Sequence, residues 1–135
     1  MNPELEACLR VLMAALLGAI IGFQREKAHK PAGLRTHILI CMGSALFTVV
    51  SILGFTGPVD PSRVAAGVVT GIGFLGAGVI FRGMRGTTPV VGLTTAASIW
   101  ITAAIGIAAG AGMYIIATAV ALLTFIILLI PRVKG

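Results

Sequence analysis

Long apolar runs separated by short basic clusters set the pattern of this chain. Five stretches stand out: Leu5 to Phe23, Ile38 to Phe55, Val64 to Phe81, about Val90 to Ala109, and Ala111 to Ile130. Crossing the bilayer core takes about 20 mostly apolar residues in a helix. None of the last four runs contains a charge, and the first carries only Glu6 and Arg10 near its start. Those two lie four apart on one helix face, so they can pair, and Arg10 can reach the interface. In hydrocarbon every backbone N–H and C=O must be satisfied internally, by helices or by a closed barrel. Barrel strands alternate in polarity. The run Leu122-Leu-Thr-Phe-Ile-Ile-Leu-Leu-Ile130 does not. The pattern therefore predicts an all-α integral membrane protein, a bundle of about five transmembrane helices in one domain over residues 1–135. Runs four and five are so closely spaced that they predict a tight hairpin, with one long bent helix or a re-entrant pair as the alternative.

Composition supports the same class. Of 135 residues, 58% are hydrophobic and 10% charged, against about 25% charged in soluble domains. A small soluble domain has a large surface to cover with polar groups, and fourteen charges are too few. Disorder is excluded by the hydrophobicity. The first run is a retained helix rather than a signal peptide, because Glu4 and Glu6 precede it and the basic residues follow it.

Positive residues set the orientation. Arg25, Lys27, Lys30 and Arg35 lie between runs one and two, Arg82 and Arg85 after run three, and Arg132 and Lys134 after run five; only Arg10 and Arg63 fall on the other side. With five spans this bias places the N-terminus outside and the C-terminus inside. Cys8 and Cys41 then lie near opposite faces, too far apart for a disulfide. The net charge of +6 does not indicate nucleic acid, because no basic helix face, stacking set of aromatics or zinc spacing accompanies it.

Candidate chemistry is sparse. Gly71-Ile-Gly73-Phe-Leu-Gly76 is a literal G-x-G-x-x-G, but it lies inside an apolar span with no acid anywhere downstream, so it is not a dinucleotide fingerprint. Gly18, Gly22, Gly67, Gly71, Gly73, Gly76 and Gly78 read instead as small-residue positions that let helices approach, or as a break in the third helix around a midplane site. At the inner rim, Arg25, Glu26, Arg35, Thr94 and Thr95 gather near the N-termini of helices two and four, an arrangement suited to an anion or to an acidic partner segment. The alternative is that these charges only fix topology against anionic lipid. His37 reads as an interfacial residue, with pH sensing as the alternative. Thr95, Ser98 and Thr102 share one helix face. Trp100, in mid-span, is expected to pack against glycines. Asp60 and Arg63 mark the outer mouth, with Asp60 as N-cap and Pro61 opening the third helix. No catalytic residues, cofactor or metal site is indicated. A dehydrated divalent-cation site needs several charged oxygen ligands, and no carboxylate lies within any of the last four spans.

Four segments together carry a resemblance. They are Gly18-Ala-Ile-Ile-Gly22 followed by Arg25-Glu26; Lys30-Pro-Ala-Gly-Leu-Arg-Thr-His37; Asp60-Pro-Ser-Arg-Val-Ala-Ala66 with Gly71-Ile-Gly-Phe-Leu-Gly-Ala-Gly78; and Gly92-Leu-Thr-Thr-Ala-Ala-Ser-Ile-Trp100 with Thr102-Ala-Ala-Ile-Gly106. In this order, over nearly the whole chain, they resemble the MgtC/SapB family of bacterial inner-membrane proteins. The resemblance implies a multi-span helical domain in the cytoplasmic membrane; the residues themselves offer no apparatus for catalysis, so no enzyme is expected. It also implies a regulatory or interaction role in magnesium or ion homeostasis. In some members that role extends to survival inside host cells and is exerted on another membrane complex, the F-type ATP synthase. A homo-oligomer, with a dimer favoured, is the expected assembly. A small oligomeric transporter or channel with a Gly-broken third helix is the alternative. Many members carry an acid where Gln24 stands and a Gln near Gly67. Better-studied virulence members continue into a cytoplasmic domain, and this chain reads as a short form without it.

Overall fold

The structure, a computed structural model, describes residues 2–80 and 90–131. Five helices follow one another: α1 (Pro3–Lys27), α2 (Leu34–Leu53), α3 (Ser62–Ala77), α4 (Leu93–Gly110) and α5 (Tyr114–Leu128). Local sequence sets their ends. The Asn2 side chain accepts from the Glu4 N–H at 2.9 Å, Pro3 occupies the first helical position, and Glu4 and Glu6 lie in the first turn. Negative groups there oppose the positive end of the helix dipole. At the start of α3, Asp60 accepts from both the N–H and the hydroxyl of Ser62, at 2.9 and 2.6 Å. The helix begins at Ser62 with Pro61 at the cap, one residue later than the sequence suggests, because these bonds hold Asp60 outside the first turn.

α4 and α5 form a hairpin. Gly112, at φ +82, turns the chain between them, a backbone conformation that glycine adopts without strain. The turn takes residues 111–113, so α5 is 15 residues long, about 22 Å at 1.5 Å per residue. α3 has 16 residues. Three helices, α1, α2 and α4, are long and apolar enough to cross a membrane, and α3 and α5 are shorter apolar helices. The expected rim residues Arg82 and Arg85 lie outside the described residues, as do Arg132 and Lys134.

Helix directions alternate. Gly18 and Gly22 of α1 oppose Cys41 and Leu34 of α2, so these two helices are antiparallel. Arg10 of α1 meets the end of α4, and Arg25 meets its start. Gln24, near the end of α1, donates to the Leu128 carbonyl at the end of α5. α1 and α5 therefore point the same way, as an odd number of alternating helices requires. One end of the bundle carries Arg25, Lys27, Lys30 and Arg35; the other carries Glu4, Glu6, Asp60 and Arg63.

The core lies among α1, α2, α4 and α5, around Ala14, Leu17, Ile21, Cys41, Ala45, Ile105, Ala109 and Ala121. Small residues dominate it, so helices can approach closely and dispersion contacts accumulate without large side chains. Gly18 and Gly22 on one side and Gly106 and Gly110 on the other hold α2 between α1 and α4: a Cβ at Gly22 would come within 2.8 Å of the Leu34 Cα, and one at Gly110 within 2.9 Å of the Ala45 Cα. Large apolar side chains point outward instead, Phe74 being 81% and Ile115 89% exposed. Hydrocarbon is the solvent that such a surface fits. Trp100 also faces outward rather than packing on glycines, because Thr95, Ser98 and Thr102 occupy the inner face of α4.

α3 is held more thinly, by Ile72 packed with Ile99 and Ala103. Its glycine row does not close a helix contact: Gly67, Gly71 and Gly73 have nothing within 4 Å of a Cβ position, Gly76 lies at ordinary contact distance from Ala96, and Gly78 meets only its own helix end. Between α3 and α2 a cleft of about 690 Å³ opens sideways, lined by apolar residues and by Gly43, Gly67 and Gly71.

Candidate functional site

A ladder of buried polar side chains joins α1, α2 and α4 at the basic end. Arg25, near the end of α1, is only 4% exposed, and its Nη2 donates to the hydroxyl oxygen of Thr95 in the first turn of α4. The Ser98 hydroxyl lies 2.7 Å from the Thr95 carbonyl and 2.9 Å from Nε2 of His37, which is fully buried. His37 Nδ1 lies 2.9 Å from the Gly33 carbonyl. That carbonyl can only accept, so Nδ1 carries a proton. The single hydroxyl proton of Ser98 serves the Thr95 carbonyl or Nε2, not both at once. Thr102 closes the row by donating to the Ser98 carbonyl at 2.6 Å.

Hydrogen-bond supply explains why these side chains point inward. Lipid offers no partners, so hydroxyl and imidazole groups on a span are satisfied by backbone carbonyls or by one another. His37 is thus a core residue rather than an interfacial one: its position four residues after Gly33 aims it across α2 at Ser98.

Of the rim residues expected from sequence, the structure brings Arg25 and Thr95 together. Glu26 is exposed and accepts from the Leu34 N–H at 3.0 Å, capping α2. Arg35 and Thr94 are exposed and turn away from the ladder, because Arg35 lies two residues before His37 and Thr94 one before Thr95, and a helix rotates successive residues by about 100°. Asp60 and Arg63 are exposed at the opposite end and do not line the α2–α3 cleft. The two hydrogen bonds from Ser62 hold the Asp60 carboxyl below its usual range. The Glu6–Arg10 pair forms at 2.8 Å, and Arg10 also donates to the Gly110 carbonyl at 2.9 Å, satisfying a free carbonyl at the end of α4. Cys8 and Cys41 are both free.

Sequence reasoning missed the His37–Ser98 bond and the Glu26 cap, which join residues 61 and eight positions apart. The shared face of Thr95, Ser98 and Thr102 was the available signal for the first. The loop cap has no local signature.

The charge balance at the ladder is one-sided. All four acids of the chain are accounted for: Glu6 pairs with Arg10, Glu26 caps α2, Asp60 binds Ser62, and Glu4 lies in the first turn of α1 at the far end. Arg25 has no carboxylate partner among them, and its Nε is buried without an acceptor among the described residues.

A model described as the MgtC family matches residues 11–134. This chain belongs to the MgtC family. YhiD of Escherichia coli (strain K12), whose name carries a provisional assignment as a magnesium transporter, is 51% identical over 117 residues, covering 81% of this chain and 53% of YhiD. MgtC of Brucella abortus (strain 2308) is 52% identical over 100 residues, 74% of this chain and 40% of that protein. SrpB of Synechococcus elongatus is 46% identical over 115 residues, 78% of this chain and 63% of SrpB. The chain thus spans about half the length of the curated relatives it matches. No solved structure matches it. As an MgtC-family chain it presents, at its basic end, a buried polar cluster that includes the Arg25 cation.

Proposed function

We propose that this chain is a multi-pass domain of the bacterial inner membrane, with its basic end in the cytoplasm, and that it serves magnesium homeostasis by associating with other membrane proteins rather than by conducting the ion. The sign of the buried charge carries this reading. A Mg²⁺ pathway needs oxygen ligands with negative charge, whereas the charged group enclosed at the basic end, Arg25, is cationic. The glycine-lined packing of α1, α2 and α4 supports the same reading, since it leaves their interface filled with side chains and backbone.

Self-association belongs to this proposal. The α2–α3 cleft exposes Gly43, Gly67 and Gly71 to the lipid side. In lipid, helix association depends on close backbone approach, and a second copy of α3 fits this requirement. A partner complex such as the F-type ATP synthase, which the family resemblance suggests, would be engaged in the same plane.

Purified protein in liposomes tests the reading. Mg²⁺ and K⁺ flux equal to that of empty liposomes, with disulfide-linked dimers from Gly71→Cys, is the expected result. Mg²⁺ flux above empty liposomes would favour the transporter alternative and overturn it.

A further inference from the structure

We propose that Arg25 and the first turn of α4 form a binding site for a phosphate group, occupied by a lipid headgroup or by free phosphate. This goes beyond the reading of the domain as an association module and does not depend on it. Arg25 supplies the first observation. Its guanidinium is almost completely enclosed, one nitrogen is spent on a neutral hydroxyl, and Nε lies buried with no acceptor among the described residues. Every acid of the chain is placed elsewhere. An enclosed charge without an opposite charge is strongly destabilising, so the site favours any anion that can reach it.

The start of α4 supplies the second. No side chain among the described residues caps it, and Gly92 before it adopts φ +95. The N–H groups of Leu93, Thr94 and Thr95 open the helix, where the positive end of the dipole attracts anions. Thr95, the residue that receives Arg25, belongs to this turn. Donor groups from a planar guanidinium and from a helix N-terminus together suit tetrahedral oxyanions.

Depth selects phosphate. Arg25 lies two residues before the end of α1 and Thr95 two residues after the start of α4. The site is therefore within about one 5.4 Å turn of the helix ends, at the edge of the hydrocarbon, where phospholipid phosphates lie. Exposed Lys27 and Lys30 at the same end raise the local anion concentration.

Thermal unfolding of the full chain in dodecyl maltoside, which carries no phosphate, tests this. Dihexanoyl phosphatidylglycerol and inorganic phosphate are titrated separately at constant ionic strength set by chloride. The expected result is a saturable rise in midpoint with one or both. Arg25→Gln should bind at least ten-fold more weakly, while Arg63→Gln, at the opposite end, should keep the wild-type response. A response to the lipid alone identifies a headgroup site, and a response to phosphate as well identifies a site for the free ion. Should Arg25→Gln fail to fold, Arg25→Lys replaces it: loss of the planar donor set should still weaken binding several-fold. No response in the wild-type protein, or equal responses in wild type and Arg25 variant, would overturn the proposal.

Discussion

A methyl group at Gly18 would sit 2.6 Å from the His37 carbonyl oxygen and 2.8 Å from the Cys41 Cβ. Two helix backbones meet there, and neither can rotate away like a side chain. Gly18→Ala is therefore expected to destabilise the fold by about 1–3 kcal/mol, the usual cost of overpacking. Gly71→Ala, with open space at its Cβ position, should change monomer stability by less than about 0.5 kcal/mol. Unfolding in detergent distinguishes the two, and equal losses would contradict the packing described. Both glycines occupy small-residue spacings in an apolar span, so they look alike in the sequence. Spacing identifies a face that permits close approach; it does not say whether a neighbour uses it. Asp60 offers a second residue-scale test. Hydrogen bonds from Ser62 lower its pKa in the folded state, so its contribution is present above the unfolded value near ~3.9 and is lost as pH falls through the folded value. Wild-type stability should fall more than that of Asp60→Asn on acidification below about pH 4; identical acid profiles would count against the cap.

Helices α2 and α4 are joined by a polar ladder as well as by glycine contacts. His37 and Ser98 exchange a hydrogen bond inside the bundle, where such pairs contribute about 0.6 kcal/mol on average and about 1.7 at most. A double-mutant cycle of His37→Ala and Ser98→Ala should return a coupling in that range. A coupling of zero would place the ring elsewhere. α3 contrasts with this pair, since Ile72 and Gly76 are its only buried residues. Backbone amides of α3 should exchange hydrogen faster than those of α2 and α4, because few buried contacts oppose its local opening. The apolar runs made the helices legible, and Gly112 made the hairpin legible as a short uncharged link. The ends of α3 and α5 were less so. Hydropathy continues across left-handed Gly112, so the fifth run reads longer than α5, whereas α3 starts before its apolar run and stops within it at Gly78. The candidate site was legible in part. Arg25 and Thr95 were named from charge and helix-start position, whereas the exposure of Arg35 and Thr94 follows from helix rotation about an axis whose packing the sequence does not print.

At the scale of the whole molecule, alternation of helix direction and segregation of charge are two independent patterns that agree. The alternation follows from contacts such as Arg10–Gly110, Arg25–Thr95 and Gln24–Leu128. The segregation follows from the positions of the basic residues along the chain and, through the preference of positive loops for the cytoplasm, sets the expected orientation. The most direct test is labelling of introduced cysteines in intact cells with a membrane-impermeant thiol reagent, in a background with Cys8→Ser that keeps the buried Cys41. Asp60→Cys should label without permeabilisation, and Lys30→Cys only after it. Labelling of both positions from the same side would contradict alternating spans, and labelling of Lys30→Cys from outside would reverse the orientation.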